Sequence, residues 1–298
     1  MKIIGIAQKG TESGLTRIRD LVESDELEFV YLKNFKKHEW DSRMLEQEPF
    51  DGVLSQCITH VPHEYRQRTV LFGLGSANRK ILNKENIKQH MLDHPLRGYW
   101  VNNNTIANAL ASAGIKTKVM YRANDVLIPK KCPIAATNKF IIWYASPWNG
   151  CLQPLKDLAV KVISALGKYG VKVFMLPHDK GWVFEPHVCA LGKVDIHQIL
   201  PMVHGMVRFG ELGDFGRTNY DVVSQGRWSL NYNVDEPWLE SVDPKANVEE
   251  IVHQIMQLIE KDTEENRVDR WLYAKKHFSR EAMSRNWTES LYYTFYGQ

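Results

Sequence analysis

Apolar residues along the chain fall into short β-branched runs separated by stretches of helical period. Lys2–Ala7, LEFVYL (Leu27–Leu32) and DGVLSQCITH (Asp51–His60) read as strands, with helices predicted over Leu15–Val22 and Glu39–Gln47. GYWVNN (Gly98–Asn103) and IKTKVMY (Ile115–Tyr121) read as two further strands. Between them lies a short helix, Thr105–Gly114, with a threonine cap and a C-terminal glycine. Strands alternating with helices at this spacing predict right-handed βαβ units and a parallel sheet.

The pattern breaks over Asn124–Asn138, which holds two prolines, two lysines and small polar residues and reads as a linker. A second α/β series follows. KFIIWYAS (Lys139–Ser146) is a buried strand, LKDLAVKVISALGKYG a helix ending at Gly170, and VKVFML (Val171–Leu176) the next strand. A helix is predicted around Ile196–His204, then the strand GMVRFG, a helix starting near Thr218 and the strand WSLNYN. Val248–Glu260 carries apolar residues at 248, 251, 252, 255, 258 and 259, one helical stripe. The tail FSREAMSRNWTESLYYTFYG is helical and rich in aromatics. The expected organisation is two Rossmann-like domains, 1–128 and 129–278, facing across a cleft, with a last helix, 279–298, packing back on the first. In open sheets of this kind ligands sit beyond the carboxyl ends of the strands.

Composition narrows the class. The 298 residues, 44% hydrophobic and 24% charged, fit an ordinary two-domain globular protein. Four scattered cysteines without a CxxC pair speak against a zinc ribbon and for a reducing, cytoplasmic setting. The start, MKIIGIAQKG, is charged too early for a signal peptide. No apolar run approaches the roughly 20 residues of a membrane span. The net charge of +3 is too small to decide between anionic partners.

One segment concentrates chemistry: GELGDFGRTNYDVVSQGR, Gly210–Arg227. Gly216 permits a tight turn, and Arg217 and Thr218 open a helix whose unpaired N–H groups and dipole favour an anion. Asp214 precedes the turn and Asp221 is expected on the first turn of the helix, where a carboxylate can accept hydroxyl hydrogen bonds. The plainer alternative has Asp214 capping the helix and Asp221 complementing its dipole. Elsewhere, Gly10 and Gly14 flank the first strand-to-helix turn, which can approach a phosphate or be a plain turn. His60 ends the third strand. His178 and His187 lack a third partner at metal-ligand spacing, so no metal site is expected. Trp148 and Trp182 fall in predicted loops where an aromatic face can stack on a sugar or base, while the other tryptophans of the second half are core candidates. TEENRVDR (Thr263–Arg270) reads as a solvated helix face.

These motifs resemble retaining GT-B glycosyltransferases of the family 4 type. That pattern runs Glu-Gly-Phe-Gly, three residues, Leu-Glu-Ala-x-Ala-x-Gly, then a strand. Here DFGRTNYDVVSQGRWSLNY supplies the Phe-Gly, an acid five residues after that glycine (Asp221) and a glycine five later (Gly226). The resemblance gives Asp221 the nucleotide ribose. The family's first acid falls on Gly213, a departure, with Asp214 or Glu211 as substitutes for the sugar contact. The family's diphosphate-gripping Arg and Lys fall on KFIIWYASPWNGCLQPLKDL, which offers Ser146 and Asn149 instead, leaving Arg208 or Arg217 to supply the charge. YWVNNNTIANALASAGIKTKVMYRANDVLIP and HFSREAMSRNWTESLYYTFYG resemble the segment closing the family's first domain and its terminal helix.

The resemblance implies transfer of a sugar from a nucleotide-sugar such as UDP- or GDP-sugar, with retention and with neither metal nor cofactor. Gly14 would lie near the diphosphate or acceptor, Lys193 and its neighbours would line the base, and His60 would face the cleft. The acceptor would be a glycan or lipid-linked sugar, with peripheral membrane contact, or a modified base in DNA. The chain is short for this fold, as a viral or phage member working in host cytoplasm would be. Two alternatives stay open: a non-catalytic nucleotide-sugar-binding protein of the same fold, and a nucleotide-sugar epimerase.

Overall fold

The structure is a computed structural model. It describes residues 1–6, 12–22, 24–32, 49–56, 61, 63–73, 96–121, 126–145, 153–176, 185–192, 194–210 and 216–297. The chain divides into two units, Met1–Asp125 with Arg280–Gln298, and Val126–Ser279.

In the first unit, strands β1 (Lys2–Ile6), β2 (Glu28–Leu32), β3 (Gly52–Ser55), β4 (Thr69–Gly73), β5 (Gly98–Val101) and β6 (Lys118–Val119) form one sheet ordered β2-β1-β3-β4-β5-β6. All of its pairings are parallel. Helix α1 (Glu12–Val22) buries Leu15, Ile18 and Val22, a three-and-four spacing that lays one apolar face on the sheet. The predicted third strand is β3 over Gly52–Ser55, its last four expected residues, 57–60, lying outside the described ones, and β4, TVLFG, was not anticipated. Helix α2 (Asn104–Ser112) is capped by Asn103, whose side chain accepts from Ile106 N–H at 2.8 Å, rather than by Thr105. Gly114 ends that helix at φ +80°, a left-handed position that suits glycine.

The terminal helix, Arg280–Phe295, belongs to this first unit. Trp287 is 1% exposed and packs edge-on against Phe72 and Trp100, with centroids 5.1 and 5.7 Å away. Its indole N–H donates to Tyr121 O at 3.1 Å. Gly52 makes room for Phe295, whose ring would lie 2.2 Å from any Cβ placed there.

The second unit holds β7 (Phe140–Ala145), β8 (Lys172–Leu176), β9 (Val188–Ala190), β10 (Gly205–Phe209), β11 (Trp228–Tyr232) and β12 (Glu240–Val242), ordered β12-β11-β10-β7-β8-β9 and parallel throughout. Counted from β7 this is the 3-2-1-4-5-6 order of dinucleotide-binding sheets. The sheet core, with Trp143, Val207 and Leu230, meets helix α3 (Gln153–Gly167) and the stripe Ile251, Val252, Ile255 and Ile259 of the helix Val248–Glu260. The latter begins with a capping box, Asn247 and Glu250 exchanging side-chain and backbone bonds. The helix expected over 196–204 is only α4 (Ile196–Ile199), because Pro201 lacks an N–H and the chain tightens into a 3-10 turn at Leu200–Met202.

The charge run at 263–270 is solvated along Thr263, Glu264, Glu265, Asn266 and Asp269. It opens the helix Glu264–Phe278, where Arg267 and Arg270 turn inward onto Asp262, whose side chain is fully buried. Arg270 Nη1 donates to Oδ1 at 3.1 Å, His204 Nδ1 lies 2.9 Å from Oδ2, and Arg227 and Arg267 stand 4.0 and 3.9 Å away. Arg227 also donates to the carbonyls of Leu200 and Ile134, at 3.1 and 2.7 Å, tying the segment before β7 to the back of the sheet. Burial pulls the Arg227 guanidinium below its ordinary value, with Asp262 opposing that pull. No described helix is long and apolar enough to cross a membrane.

Candidate functional site

In the second unit the strand order reverses between β7 and β10, the place where open parallel sheets leave a crevice at their carboxyl ends. Tyr144 and Arg208 are register partners there. The Arg208 guanidinium lies over the Tyr144 ring, 4.6 Å from its centroid, a cation–π contact in a buried setting.

Beyond β10 comes helix α5 (Arg217–Ser224), with Gly216, which has no side chain to cap with, as its N-cap. A helix start of this kind points backbone N–H groups toward an anion. Gly216 is glycine for a steric reason: a Cβ here would sit 2.2 Å from Arg208 Nη1. Its extended backbone, φ −88°, asks for no left-handed conformation. The missing side chain lets a buried guanidinium rest directly beneath a helix N-terminus, adding positive potential where the dipole already favours an anion.

Arg217, Thr218 and Asp221 open onto a cavity of about 370 Å³. Its opposite wall comes from Leu176 at the end of β8, from Gly192 and Val194 after β9, and from Ile196 and His197 in α4. Gly192 sits at φ +66°, so a side chain there would be strained. Asp195 caps α4, accepting from His197 N–H at 3.0 Å. Asp221 is 5% exposed. His197 Nε2 stands 3.7 Å from its Oδ1 and Arg217 Nε 3.6 Å from its Oδ2. The cavity thus offers a helix start and cation at one end, a carboxylate between two nitrogen donors, and an apolar slot made by Leu176, Val194 and Ile196. Those parts suit, in turn, an anion, hydroxyl groups and a flat ring.

Of the residues expected from sequence, Gly216, Arg217, Thr218 and Asp221 gather at this one place. Asp221 is the fifth residue of its helix and not on the first turn, so it does not serve the dipole. Arg208 stands behind the wall and does not line the cavity. Gly14 lies inside α1, which begins at Glu12 before the expected turn is over, and it belongs to the first unit. Asp214, Glu211, His60, Ser146, Asn149 and Lys193 lie outside the described residues, as do Trp148, Trp182 and His178. His187 packs over Gly167, with Nε2 2.9 Å from Ile163 O, which is a structural role. Sequence reasoning missed Tyr144, Leu176, Asp195, Ile196 and His197. The Asp-Ile-His-Gln cap signal was readable, but nothing in it marks the histidine as facing a cavity.

No family model and no curated protein matches the sequence. Solved structures do match in shape. HepE of Anabaena in complex with UDP-glucose superposes with a TM-score of 0.64 at 15% identity, over 98% of this chain and 99% of that one. A glycosyltransferase from Rickettsia africae gives 0.63 at 11%, over 100% and 99%. The glycotransferase of kitacinnamycin gives 0.55 at 9%, over 99% and 98%. The fold is GT-B. Two parallel six-stranded sheets flanked by helices are its two Rossmann-like domains, as the sequence motifs implied. The described residues that line the cavity are all in the second unit.

Proposed function

We propose that the protein is a glycosyltransferase of the family 4 type, moving a sugar from a nucleotide-sugar to an acceptor with retention of configuration and without a metal or cofactor. The observation that carries this reading is the cavity at the β7/β10 reversal, where the N-terminus of α5, Arg217 and the buried Arg208 converge opposite an apolar slot. In this reading the diphosphate sits at Gly216–Thr218. The helix N–H groups and Arg217 touch it directly, and Arg208 acts through space. As the bond to the sugar breaks, negative charge grows on the leaving diphosphate, and these preorganised donors stabilise it. Arg208 takes over electrostatically from the cations absent after β7. Asp221 holds the ribose, and the apolar slot takes the base. Asp214 or Glu211 contacts the transferred sugar. Uridine nucleotides are the first candidates, because a structure of like fold holds UDP-glucose. The acceptor is a glycan, a lipid-linked sugar or a modified DNA base, and the reaction is cytoplasmic.

A second reading has one observation in its favour. Arg208 backs the cavity instead of lining it, which suits binding without turnover. Thermal shift of the purified protein against UDP, GDP, ADP and TDP in EDTA, with and without the common sugars attached, tests both. A shift for one nucleotide, lost in Asp221→Ala, is the expected result, and the absence of any shift in a folded protein overturns the donor site. Slow hydrolysis or transfer from the matching nucleotide-sugar separates enzyme from binder. The anomeric proton signal of the product reports retention.

A further inference from the structure

Every strand pairing in the second unit is parallel, so the strand starts gather at one pole of its sheet, and the cavity lies at the other. The pole of the strand starts is one continuous surface. Lys139 precedes β7, Lys172 opens β8, and the Lys172 backbone N–H donates to Lys139 O at 2.9 Å. Lys168 and Tyr169 form the turn that leads into β8. On the other side of β7, the His204 backbone N–H donates to Phe140 O at 2.9 Å, which sets the 3-10 turn Leu200–Met202 beside the start of that strand. Arg227 Nη2 donates to Pro201 O at 3.3 Å and to Ile134 O at 2.7 Å, so the segment before β7 runs alongside the same turn. The Trp271 indole N–H donates to Pro129 O at 3.0 Å and fixes where that segment begins.

This pole shows solvent lysines and protruding apolar side chains. Lys130, Lys131, Lys139, Lys168 and Lys172 are all exposed. Ile134 is 84% exposed, and Tyr169 and Met202 are exposed as well. The exposed acids that reach it, Glu260, Glu264 and Glu265, flank the turn at Asp262, with Lys261 among them. The arginines here, Arg227, Arg267 and Arg270, are turned inward on Asp262. The division between lysine outside and arginine inside narrows the partner. Protein interfaces are rich in arginine and poor in lysine, and nucleic-acid phosphates are gripped by the arginine fork. Lysines spread as point charges around single apolar side chains suit a surface that is negative and laterally uniform, with an apolar layer beneath its charge. An anionic bilayer is such a surface.

We infer that the strand-start pole of the second unit is a docking surface for an anionic lipid bilayer, with the five lysines over the headgroups and Ile134, Met202 and Tyr169 entering the interface. The cavity, at the opposite pole of the same sheet, then faces away from the lipid and stays open to soluble ligands. The inference stands apart from the nucleotide-sugar reading, since no residue of the cavity takes part.

The test is co-sedimentation of the full-length protein with vesicles of phosphatidylcholine, alone or with about one-third phosphatidylglycerol. Wild type is expected to bind the anionic vesicles at least about tenfold more tightly than the neutral ones. Binding should fall away between about 0.1 and about 1 M salt, as the Debye length shrinks from about 10 to about 3 Å. Lys139→Ala combined with Lys168→Ala should weaken it about 20- to 30-fold, at about fivefold per lysine. Ile134→Ser should weaken it about three- to tenfold through the lost apolar contact. Lys245→Ala, an exposed lysine beyond the end of β12, should change it by less than about twofold. All four positions are exposed, and unchanged thermal midpoints show that the variants fold. Equal binding to both kinds of vesicle, or no binding by folded wild type, overturns the docking surface. So does a loss in Lys245→Ala as large as that in the double variant. Binding that Ile134→Ser leaves untouched, and that heparin or duplex DNA matches at the same salt, also overturns it and makes the pole a general polyanion face.

Discussion

Asp221 and Asp262 are built from the same parts and come to opposite ends. Each is a buried aspartate in the second unit with a histidine at one oxygen and arginine nearby. At Asp262 the partners close to 2.9 and 3.1 Å, and the side chain is fully shut away. At Asp221 they stop at 3.7 and 3.6 Å and the carboxylate borders a cavity. A buried carboxylate whose donors are in contact has its hydrogen-bond demand met by the protein, and it serves the fold. One that borders a cavity can be reached by a ligand. Residue types do not distinguish the two sites; distance and the neighbouring cavity do.

The sharpest way to break this comparison is to remove each carboxylate and read stability and binding together. Asp262→Ala leaves three guanidinium groups and a histidine around an empty centre. It is expected to lower the stability of the protein by about 3–5 kcal/mol in urea unfolding, the usual loss when one partner of a buried ion pair goes. Nucleotide affinity of the molecules that remain folded should hold. Asp221→Ala is expected to do the reverse. Affinity for the preferred nucleotide falls about 10- to 100-fold, while stability falls less than in Asp262→Ala, since this carboxylate borders a cavity that water can fill. Equal effects of the two substitutions on both readouts would erase the distinction.

The sequence reaches unevenly into the two sites. Asp221, Thr218, Arg217 and Gly216 were legible because they are near in sequence and share one strand–turn–helix unit, whose spacing is a motif. His197 was not, because its approach to Asp221 joins two helices whose closeness depends on the strand order. Asp262 was hidden for the same reason on a larger scale: His204 lies 58 residues before it in the chain. TEENRVDR looked solvated throughout because the one buried acid that turns Arg267 and Arg270 inward stands just ahead of it, at 262, and a single acid leaves no periodic trace. At the level of the fold, the long buried strands and the stripe of 248–260 could be read, since period and length agree. β12, three residues at a sheet edge, could not, because so short a stretch carries no period. The terminal helix was legible through its aromatic content, and Trp287 shows what that content is for.

Smaller effects sharpen the contrast at each end. Gly216→Ala forces the Arg208 guanidinium away from the start of α5, since the new Cβ would otherwise lie 2.2 Å from Nη1. The expected result is a loss of roughly tenfold in nucleotide affinity, as one charged contribution to the anion site is displaced. Arg208→Ala should lower affinity by a similar factor, and the double variant by no more than either alone, because both changes remove the same guanidinium from the same place. Additive losses would mean that Gly216 serves the ligand directly and that Arg208 acts by another route.

The smallest effect reports on the Asp262 end through a thiol. Cys132 lies against Gly226, its Sγ 3.2 Å from where a Cβ on that glycine would sit, and beside Arg267 and Arg227. Burial raises the Cys132 thiol above its ordinary value, and the two arginines only partly offset this. The sign follows directly: a raised value keeps the thiol protonated, and so unreactive, to higher pH than an exposed cysteine. Cys189 is exposed. With iodoacetamide near pH 8, Cys189 should be alkylated roughly tenfold faster than Cys132, with peptide mass spectrometry following each site. In Asp262→Asn the shell around the carboxylate loosens, water reaches the thiol, and the rate at Cys132 should rise toward that at Cys189. The same label on Asp221→Asn should leave Cys132 slow, since the groups around Asp262 are His204, Arg227, Arg267 and Arg270. A rise in both variants would mean that the two aspartates stabilise the unit as one network, and that the distances at Asp221 are a looser version of the same structural site.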